Sequence, residues 1–387
     1  MKRTIFDEDH EAFRGMVRQF FEKELTPEYA DWEKAGHPSR DFYRRAGEVG
    51  IMGIQVPTEY GGGGVDSYKF NAIVTEESIA AHANLGPMRV HMDLVLPYLM
   101  HYANEEQKQR WLPGFASGEI MTAIAMTEPG TGSDIAGIRT TAKRVTDDRG
   151  EAYILNGAKT FITGAFNADR ILVVVRTAPA SEENRRTGLS ILVVDTKSPG
   201  FEVGRNLDKI GLKAQDTCEL SFSDVRVPVE DLLGEEGKAF EYLSHNLAQE
   251  RLTIAVGAWS SAHNAIELAK EYTLERKVFG KTVASFQNTK FVLAECAVEV
   301  QAGQAFLDQA IEAHDAGTLT PADAAGLKLW MTEMQSRVID KCLQLHGGYG
   351  YINEYPIARL YADARVTRIY GGTSEVMKTI VAKSMGL

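Results

Sequence analysis

Ile171-Leu-Val-Val-Val175 is the longest uninterrupted apolar run in the chain, and its reading decides the fold. Five residues are too few to cross a bilayer, and Ile and Val favour a pleated strand. Working outward, Tyr153-Ile-Leu155 and residues 189–194 and 218–227 are also short and rich in β-branched side chains. Turn signals separate them: Asn156-Gly157, Thr187-Gly188 and Ser198-Pro199-Gly200. Few helical patterns intervene. Residues 121–235 therefore read as an antiparallel barrel or sandwich, not a βαβ sheet.

Both flanks have a helical texture. Phe13, Val17, Phe20, Phe21 and Leu25 recur at helical spacing, as do apolar residues over 75–83 and 104–115. Asn104 ahead of Glu105, Glu106 and Gln107 reads as an N-cap. Residues 60–64, Tyr-Gly-Gly-Gly-Gly, read as a loop. Past the sheet, residues 239–270, 286–316 and 322–345 are helices of a length that suits a four-helix bundle. The expected class is α+β, mostly α. It has an N-terminal helical domain (1–120), a middle β-barrel or sandwich domain (121–235) and a C-terminal helical bundle (236–387).

Composition excludes several functions. The 387 residues carry 42 Lys and Arg against 53 Asp and Glu, a net charge of −11, which is unsuited to a nucleic-acid backbone. A 44% hydrophobic and 25% charged chain is neither disordered nor collagen-like. The cysteines, Cys218, Cys296 and Cys342, lie far apart in the sequence, so neither a zinc site nor a disulfide framework is expected and a reducing compartment is. The N-terminus turns acidic at once and resembles neither a secretory signal nor a transit peptide. A cytoplasmic location with no membrane span and no metal is the expectation. No P-loop, H-E-x-x-H, EF-hand or G-x-S-x-G is present. The near-matches to G-x-G-x-x-G, at Gly130-Thr-Gly132 and Gly348-Tyr-Gly350, lack the third glycine.

One segment stands apart: Ala125-Met-Thr-Glu-Pro-Gly-Thr-Gly-Ser-Asp134. Its hydroxyls, small residues and Pro-Gly can bring backbone N–H groups close to a flat polar ligand. On composition alone it is a surface turn with an Asp cap. It resembles, however, the flavin-binding signature of the acyl-CoA dehydrogenase family, and four further blocks follow in that family's order. These are Asn156-Gly-Ala-Lys159 with Phe161-Ile-Thr163, Glu275-Arg-Lys-Val-Phe-Gly280 with Gln287, Gln344-Leu-His-Gly-Gly-Tyr-Gly350, and Arg368-Ile-Tyr-Gly-Gly-Thr-Ser-Glu375. The resemblance covers almost the whole chain.

The resemblance implies non-covalent FAD, an acyl-CoA substrate and α,β-dehydrogenation to the trans-2-enoyl-CoA in fatty-acid β-oxidation. It also implies an electron-transfer flavoprotein as acceptor and a homotetramer. Met126, Thr127, Gly132 and Ser133 would line the flavin or thioester side, and Phe161 and Thr163 would flank the isoalloxazine. Arg276, Phe279 and Gln287 would hold the pyrophosphate and adenine half. Gln344, Gly347 and Gly348 would reach a FAD held mainly by a neighbouring subunit, and Thr373 and Glu375 would meet its diphosphate and ribose region. Glu375 stands where relatives often carry Gln, and a carboxylate there would repel a diphosphate. Ser133, Arg251 and Tyr370 are the expected substrate contacts. Three have a stated plainer alternative: Phe161 as a buried strand residue, Arg276 as a solvated helix-end cation, the Gly347-Gly348 pair as a helix C-cap.

Many relatives place the catalytic Glu directly after the Tyr of the last motif, where this chain has Gly371. Glycine takes no proton. The long-chain and isovaleryl types carry the base on a bundle helix before an Arg, and Gln249-Glu250-Arg251-Leu252 fits that pattern. The Tyr-Gly-Gly-Thr ending and Trp32-Glu-Lys-Ala-Gly36 add to the likeness with the long-chain type. Glu250 is then the expected base, on a medium or long acyl chain, with the Gly371 N–H donating to the thioester oxygen. The plainer alternative for Glu250 is an ion pair, with Arg251 or with a residue of another helix. The competing functions are an acyl-CoA oxidase or flavin monooxygenase on the same fold, and a non-catalytic scaffold.

Overall fold

In the computed structural model, residues 3–387 are described; Met1 and Lys2 of the acidic N-terminal stretch lie outside the described residues. Asp7 opens the first helix, and its carboxylate accepts from the His10 N–H in a reciprocal capping box. Helix α1 (Glu8–Phe20) runs on through a π-helical turn (Phe21–Leu25) and buries Val17, Phe20, Phe21 and Leu25. Then come α2 (Tyr29–Ala35), α3 (Arg40–Glu48), α4 (Lys69–Ala80), α5 (Gly86–Arg89), α6 (Leu96–Tyr102) and α7 (Glu105–Ser117). Asn104 caps α7 as expected: its side chain accepts from Gln107 N at 2.9 Å, and Gln107 Oε1 accepts from Asn104 N at 3.0 Å.

The sheet holds β1 (Thr122–Ala125), β2 (Thr141–Asp147), β3 (Gly150–Thr163), β4 (Arg170–Arg176), β5 (Leu189–Asp195), β6 (Phe201–Asn206), β7 (Thr217–Pro228) and β8 (Leu232–Leu233). Its order is β6-β7-β3-β2-β4-β5-β8, with β1 against β4. The decisive apolar run is the middle of β4, and all five of its residues are fully buried. Leu172 and Val174 pack on one face with Leu99, Leu112 and Phe115 of α6 and α7. Ile171, Val173 and Val175 pack on the other with Tyr153, Leu155 and Val225. Burial on both faces explains why the run does not alternate with polar residues.

Two expectations need correction. The sheet is not wholly antiparallel: β1 runs parallel to β4, from Thr122 opposite Arg170 to Ala125 opposite Val173, and β2 meets β4 in parallel at Thr141 and Arg176. Parallel pairing needs a long crossover, which the loop after β1 and the β2–β3 hairpin supply. Asn156-Gly157 is not a turn. Strand β3 runs through it, and its register against β7 slips between Leu155 and Gly157. Gly157 has φ +147°, and a Cβ there would lie 2.5 Å from Thr140 Oγ1. The glycine serves close backbone approach rather than reversal.

The C-terminal part is built on α8 (Ala239–Glu275), α9 (Gln287–Asp315) and α10 (Pro321–Leu345), with α11 (Pro356–Ala364) and α12 (Ser374–Ser384) packed on α10. Leu252, Val256 and Trp259 of α8 share a core with Val300 and Leu307 of α9 and Met331 and Val338 of α10. Between α8 and α9 lies a small hairpin of β9 (Lys277–Val278) and β10 (Lys281–Thr282). The three cysteines are free and buried. Among the described residues, no helix is long and apolar enough to cross a membrane, and no cluster of His, Cys, Asp or Glu could hold a metal.

Candidate active site

The segment after β1 folds back on itself, with Glu128 and Thr131 exchanging both backbone hydrogen bonds at 2.9 and 3.0 Å. Beneath it lies a buried ion pair. Lys159 Nζ, on β3, is 2.9 Å from Glu128 Oε1 and donates to the Met126 carbonyl at 3.0 Å. Glu128 also accepts from the N–H groups of Arg139 and Thr140 at 2.8 and 2.9 Å. Burial acts to raise the Glu128 pKa, but these donors and Lys159 hold it below the ordinary value. Burial brings Lys159 down to about 8 against the pull of Glu128. Thr160 N donates to the Thr127 carbonyl at 2.9 Å, so the strand that carries Phe161 is tied to the Met126-Thr127 step.

Phe161 is not the buried strand residue that its type suggests. It is 64% exposed and has φ +60°, a left-handed conformation that is costly for a bulky residue. The β3–β7 register breaks between Lys159 and Ile162, and that irregularity turns the ring outward. Met126, Thr127 and Thr163 are half-buried, while Gly132 and Ser133 are exposed.

Glu250 lies in the first third of α8 and is half-buried. Its alternative as an ion pair with Arg251 is not realised: among the described residues, no hydrogen bond or ion pair reaches its carboxylate. Burial raises its pKa above the ordinary carboxylate range, while Arg251 and Lys328 pull the other way. Arg251 is itself buried, with its Nε unpartnered. The Gly371-Gly372 turn closes over this carboxylate. A Cβ built on Gly371 would lie 3.5 Å from Glu250 Oε1 and 2.3 Å from Ile254 Cδ1. The two candidate base positions thus converge on one spot from different elements, and only one carries a carboxylate. Tyr370 is half-buried beside them and, with Ile254, Arg89 and Gly257, lines a cleft. Thr373 caps α12 through a bond from Val376 N at 3.3 Å, and Glu375 is exposed in that helix's first turn.

The remaining expected residues gather elsewhere. Arg276, Gly347 and Gly348 line one pocket with Tyr272, His346 and Tyr349, and the Arg276 guanidinium lies 5.4 Å from the Tyr349 ring centre. Gly347, with φ +59°, directly follows the His346 cap of α10, a left-handed position at which helices commonly end on glycine. Gln287, Gln344 and Phe279 are exposed, Phe279 at 94%. Helix α8 separates this group from Glu250. Roughly 26 residues at 1.5 Å each put Arg276 about 39 Å along the helix axis from Glu250. That is farther than one extended dinucleotide reaches.

Comparison with known proteins supplies the class. The acyl-CoA dehydrogenase N-terminal, middle and C-terminal domain models match residues 7–119, 123–225 and 237–386. The chain belongs to the acyl-CoA dehydrogenase family and is an enzyme of it, with FAD as its cofactor. Among relatives, it is 44% identical to the pig mitochondrial long-chain specific acyl-CoA dehydrogenase over 99% of this chain and 88% of that protein. The crystal structure of an acyl-CoA dehydrogenase from Geobacillus kaustophilus superposes with a TM-score of 0.95 at 46% identity, covering 99% of both chains. A glutaryl-CoA dehydrogenase from Mycobacterium smegmatis, solved in complex with FADH2, superposes with a TM-score of 0.88 at 28% identity, covering 98% of this chain and 95% of that one.

The residues present fit such a cofactor. Gly132 and Gly348 have no positive φ, and a Cβ on either meets no protein atom. Neither backbone nor packing requires glycine there, whereas close approach by a ligand would. The outward Phe161 ring likewise lacks a protein cover. Sequence reading missed Lys159 and Lys328 as contributors. The missed signal for Lys328 is its place on the buried stripe of α10 that includes Ala324, Ala325, Met331, Thr332 and Gln335.

Proposed function

We propose that the protein oxidises a medium- or long-chain acyl-CoA to its trans-2-enoyl thioester in fatty-acid β-oxidation and passes the electrons to an electron-transfer flavoprotein. The observation that carries this reading is the unpaired Glu250 carboxylate facing Gly371. A carboxylate without donors, in surroundings that raise its pKa, is suited to take a proton near neutral pH. Glu250 removes the α-proton. The Gly371 N–H donates to the thioester oxygen and makes that proton more acidic. Tyr370 and Arg251 wall the acyl and thioester region, and Ser133 closes it from the sheet side. FAD, held by Met126, Thr127, Gly132, Phe161 and Thr163, supplies the acceptor for the β-hydride when bound.

The pocket around Arg276, Gly347 and Gly348, with Phe279, Gln287 and Gln344 nearby, takes the far half of a FAD seated in a neighbouring subunit. The length of α8 supports this reading, as do the exposed Leu274, Phe291, Val298 and Phe306. The assembly is a homotetramer. Thr373 and Glu375 lie near the diphosphate and ribose, with Glu375 kept at the solvent edge.

Anaerobic titration of the yellow protein with acyl-CoAs of increasing chain length tests the reading. Bleaching of the flavin band, strongest at medium to long chains, is the expected result. A flavin left oxidised by every chain length would overturn it. Rapid H₂O₂ formation during aerobic turnover would favour an oxidase.

A further inference from the structure

Lys328 is among the largest fully buried side chains of the protein, with no exposed surface. An ammonium taken out of water is costly unless an anion compensates it. Among the described residues, no carboxylate lies within ion-pair distance of its ammonium, and the one hydrogen bond that ammonium makes, at 2.7 Å, goes to the carbonyl of Gly372. The nearby Glu333 is engaged by Ser374 at 2.8 Å and by Arg368 at 3.4 Å. The Lys328 ammonium is therefore directed to the backbone of one turn, whose Gly371 and Gly372 have φ +62° and +94°. Two adjacent glycines in left-handed conformations have no side chains of their own to fix them. Lys328 and the Thr373 cap supply the anchorage.

We propose that Lys328 is a positioning residue for the dehydrogenation. It pins the Gly371-Gly372 turn against α8, so that the Gly371 N–H and the Glu250 carboxylate keep one geometry, and it supplies part of the positive field that keeps Glu250 ionised. The inference rests on the roles given above to Glu250 and Gly371. The charged and titratable groups facing Glu250 are Arg251 on its own helix, Lys328 from α10, Tyr98 from α6 and Tyr370 from the turn. Only the two cations favour its anionic form, so removing one leaves burial less opposed. Lys328 pays for its position, since burial and then Arg251 bring its own pKa to about 8 against the pull of Glu250, Glu333 and Glu375.

The test compares Lys328→Met, Lys328→Gln and Lys328→Arg as holoenzymes, with flavin reduction and steady-state turnover measured against pH. In Lys328→Met the acid limb of kcat/KM moves about one pH unit upward. The plateau kcat falls about tenfold while KM stays within about threefold, as expected when geometry rather than binding is lost. Lys328→Arg returns the limb towards its wild-type position. Lys328→Gln keeps a donor but not the charge, so its limb stays shifted. Melting of the holoenzyme gives a second readout. Lys328 titrates near 8 when folded and at its ordinary 10.5 when unfolded. It therefore adds stability as pH rises through that window, and Lys328→Met loses this rise. An unmoved acid limb in Lys328→Met would overturn the inference, as would loss of fold or FAD in all three variants, which would make Lys328 a purely structural residue. If the wild-type flavin is not reduced by any acyl-CoA, the functional reading fails and takes this inference with it. Reduction in the wild type with an unmoved limb in the variant defeats this inference alone.

Discussion

The molecule buries two lysines near glutamates and treats them oppositely. On the sheet side, Lys159 meets Glu128 at 2.9 Å, and that carboxylate also accepts from two backbone N–H groups. On the helical side, Lys328 bonds a carbonyl, and among the described residues no hydrogen bond or ion pair reaches the Glu250 carboxylate. Burial brings both lysines to about 8, yet Glu128 is held below the ordinary carboxylate value and Glu250 above it. Burial is the largest influence on both carboxylates, and only at Glu128 do donors and Lys159 outweigh it. A carboxylate saturated with donors is a strut. One denied them keeps its basicity for chemistry.

The contrast is broken most forcefully at Glu250. Glu250→Gln is expected to retain FAD and lose about two to four orders of magnitude in anaerobic flavin reduction, read by stopped flow. A near wild-type rate would remove Glu250 from the mechanism. Adding Gly371→Glu regains little, because its Cβ collides with Ile254. Trimming that neighbour with Ile254→Ala is expected to recover part of the rate.

Glu128→Gln should cost stability first. It strands a buried lysine, at about 3–5 kcal/mol, visible as a lower denaturation midpoint and looser FAD. Restoring balance with Lys159→Met should recover much of the loss. If Glu128→Gln alone melts like the wild type, the strut is no strut.

A pH-dependent stability measurement sharpens the comparison. The folded pKa of Glu250 is raised, so the folded state binds its proton more tightly than the unfolded state does. The group costs stability above the folded pKa, and the cost vanishes below the unfolded value. Glu250→Gln is therefore expected to melt a few degrees higher than wild type at pH 8 and alike at pH 4. Equal melting at both would show that Glu250 is not desolvated.

The smallest effect is at Phe161. Glycine at this left-handed position relieves about 1 kcal/mol of backbone strain. Phe161→Gly should thus offset much of its lost packing in the melt while binding FAD more weakly. Tighter FAD binding in Phe161→Gly would contradict a cofactor role for the ring.

How much was legible follows the reach of each signal. The β4 run, the long helices and the Asn104 cap depend on residues close in sequence, and these came through. The parallel β1–β4 pair did not, since no local pattern records which strand a four-residue segment will join. At Asn156-Gly157 one residue type answers two needs, reversal and close approach, and the sequence does not separate them. Glu250 was legible only through the resemblance, as the carboxylate of Gln249-Glu250-Arg251-Leu252. Its lack of a partner was not, because that depends on where Arg251 and Lys328 point. Lys159 and Glu128 pair across 31 positions, so only the folded sheet reveals them.

Helix α8 is a ruler, and a ruler has a genetic consequence. Because it holds Arg276 about 39 Å from Glu250, the proposed shared cofactor site would draw its two halves from different chains. On that proposal, a chain defective at Arg276 and a chain defective at Phe161 would each fail alone. In a mixed assembly, some sites would pair the intact half of one with the intact half of the other, and two inactive alleles would complement.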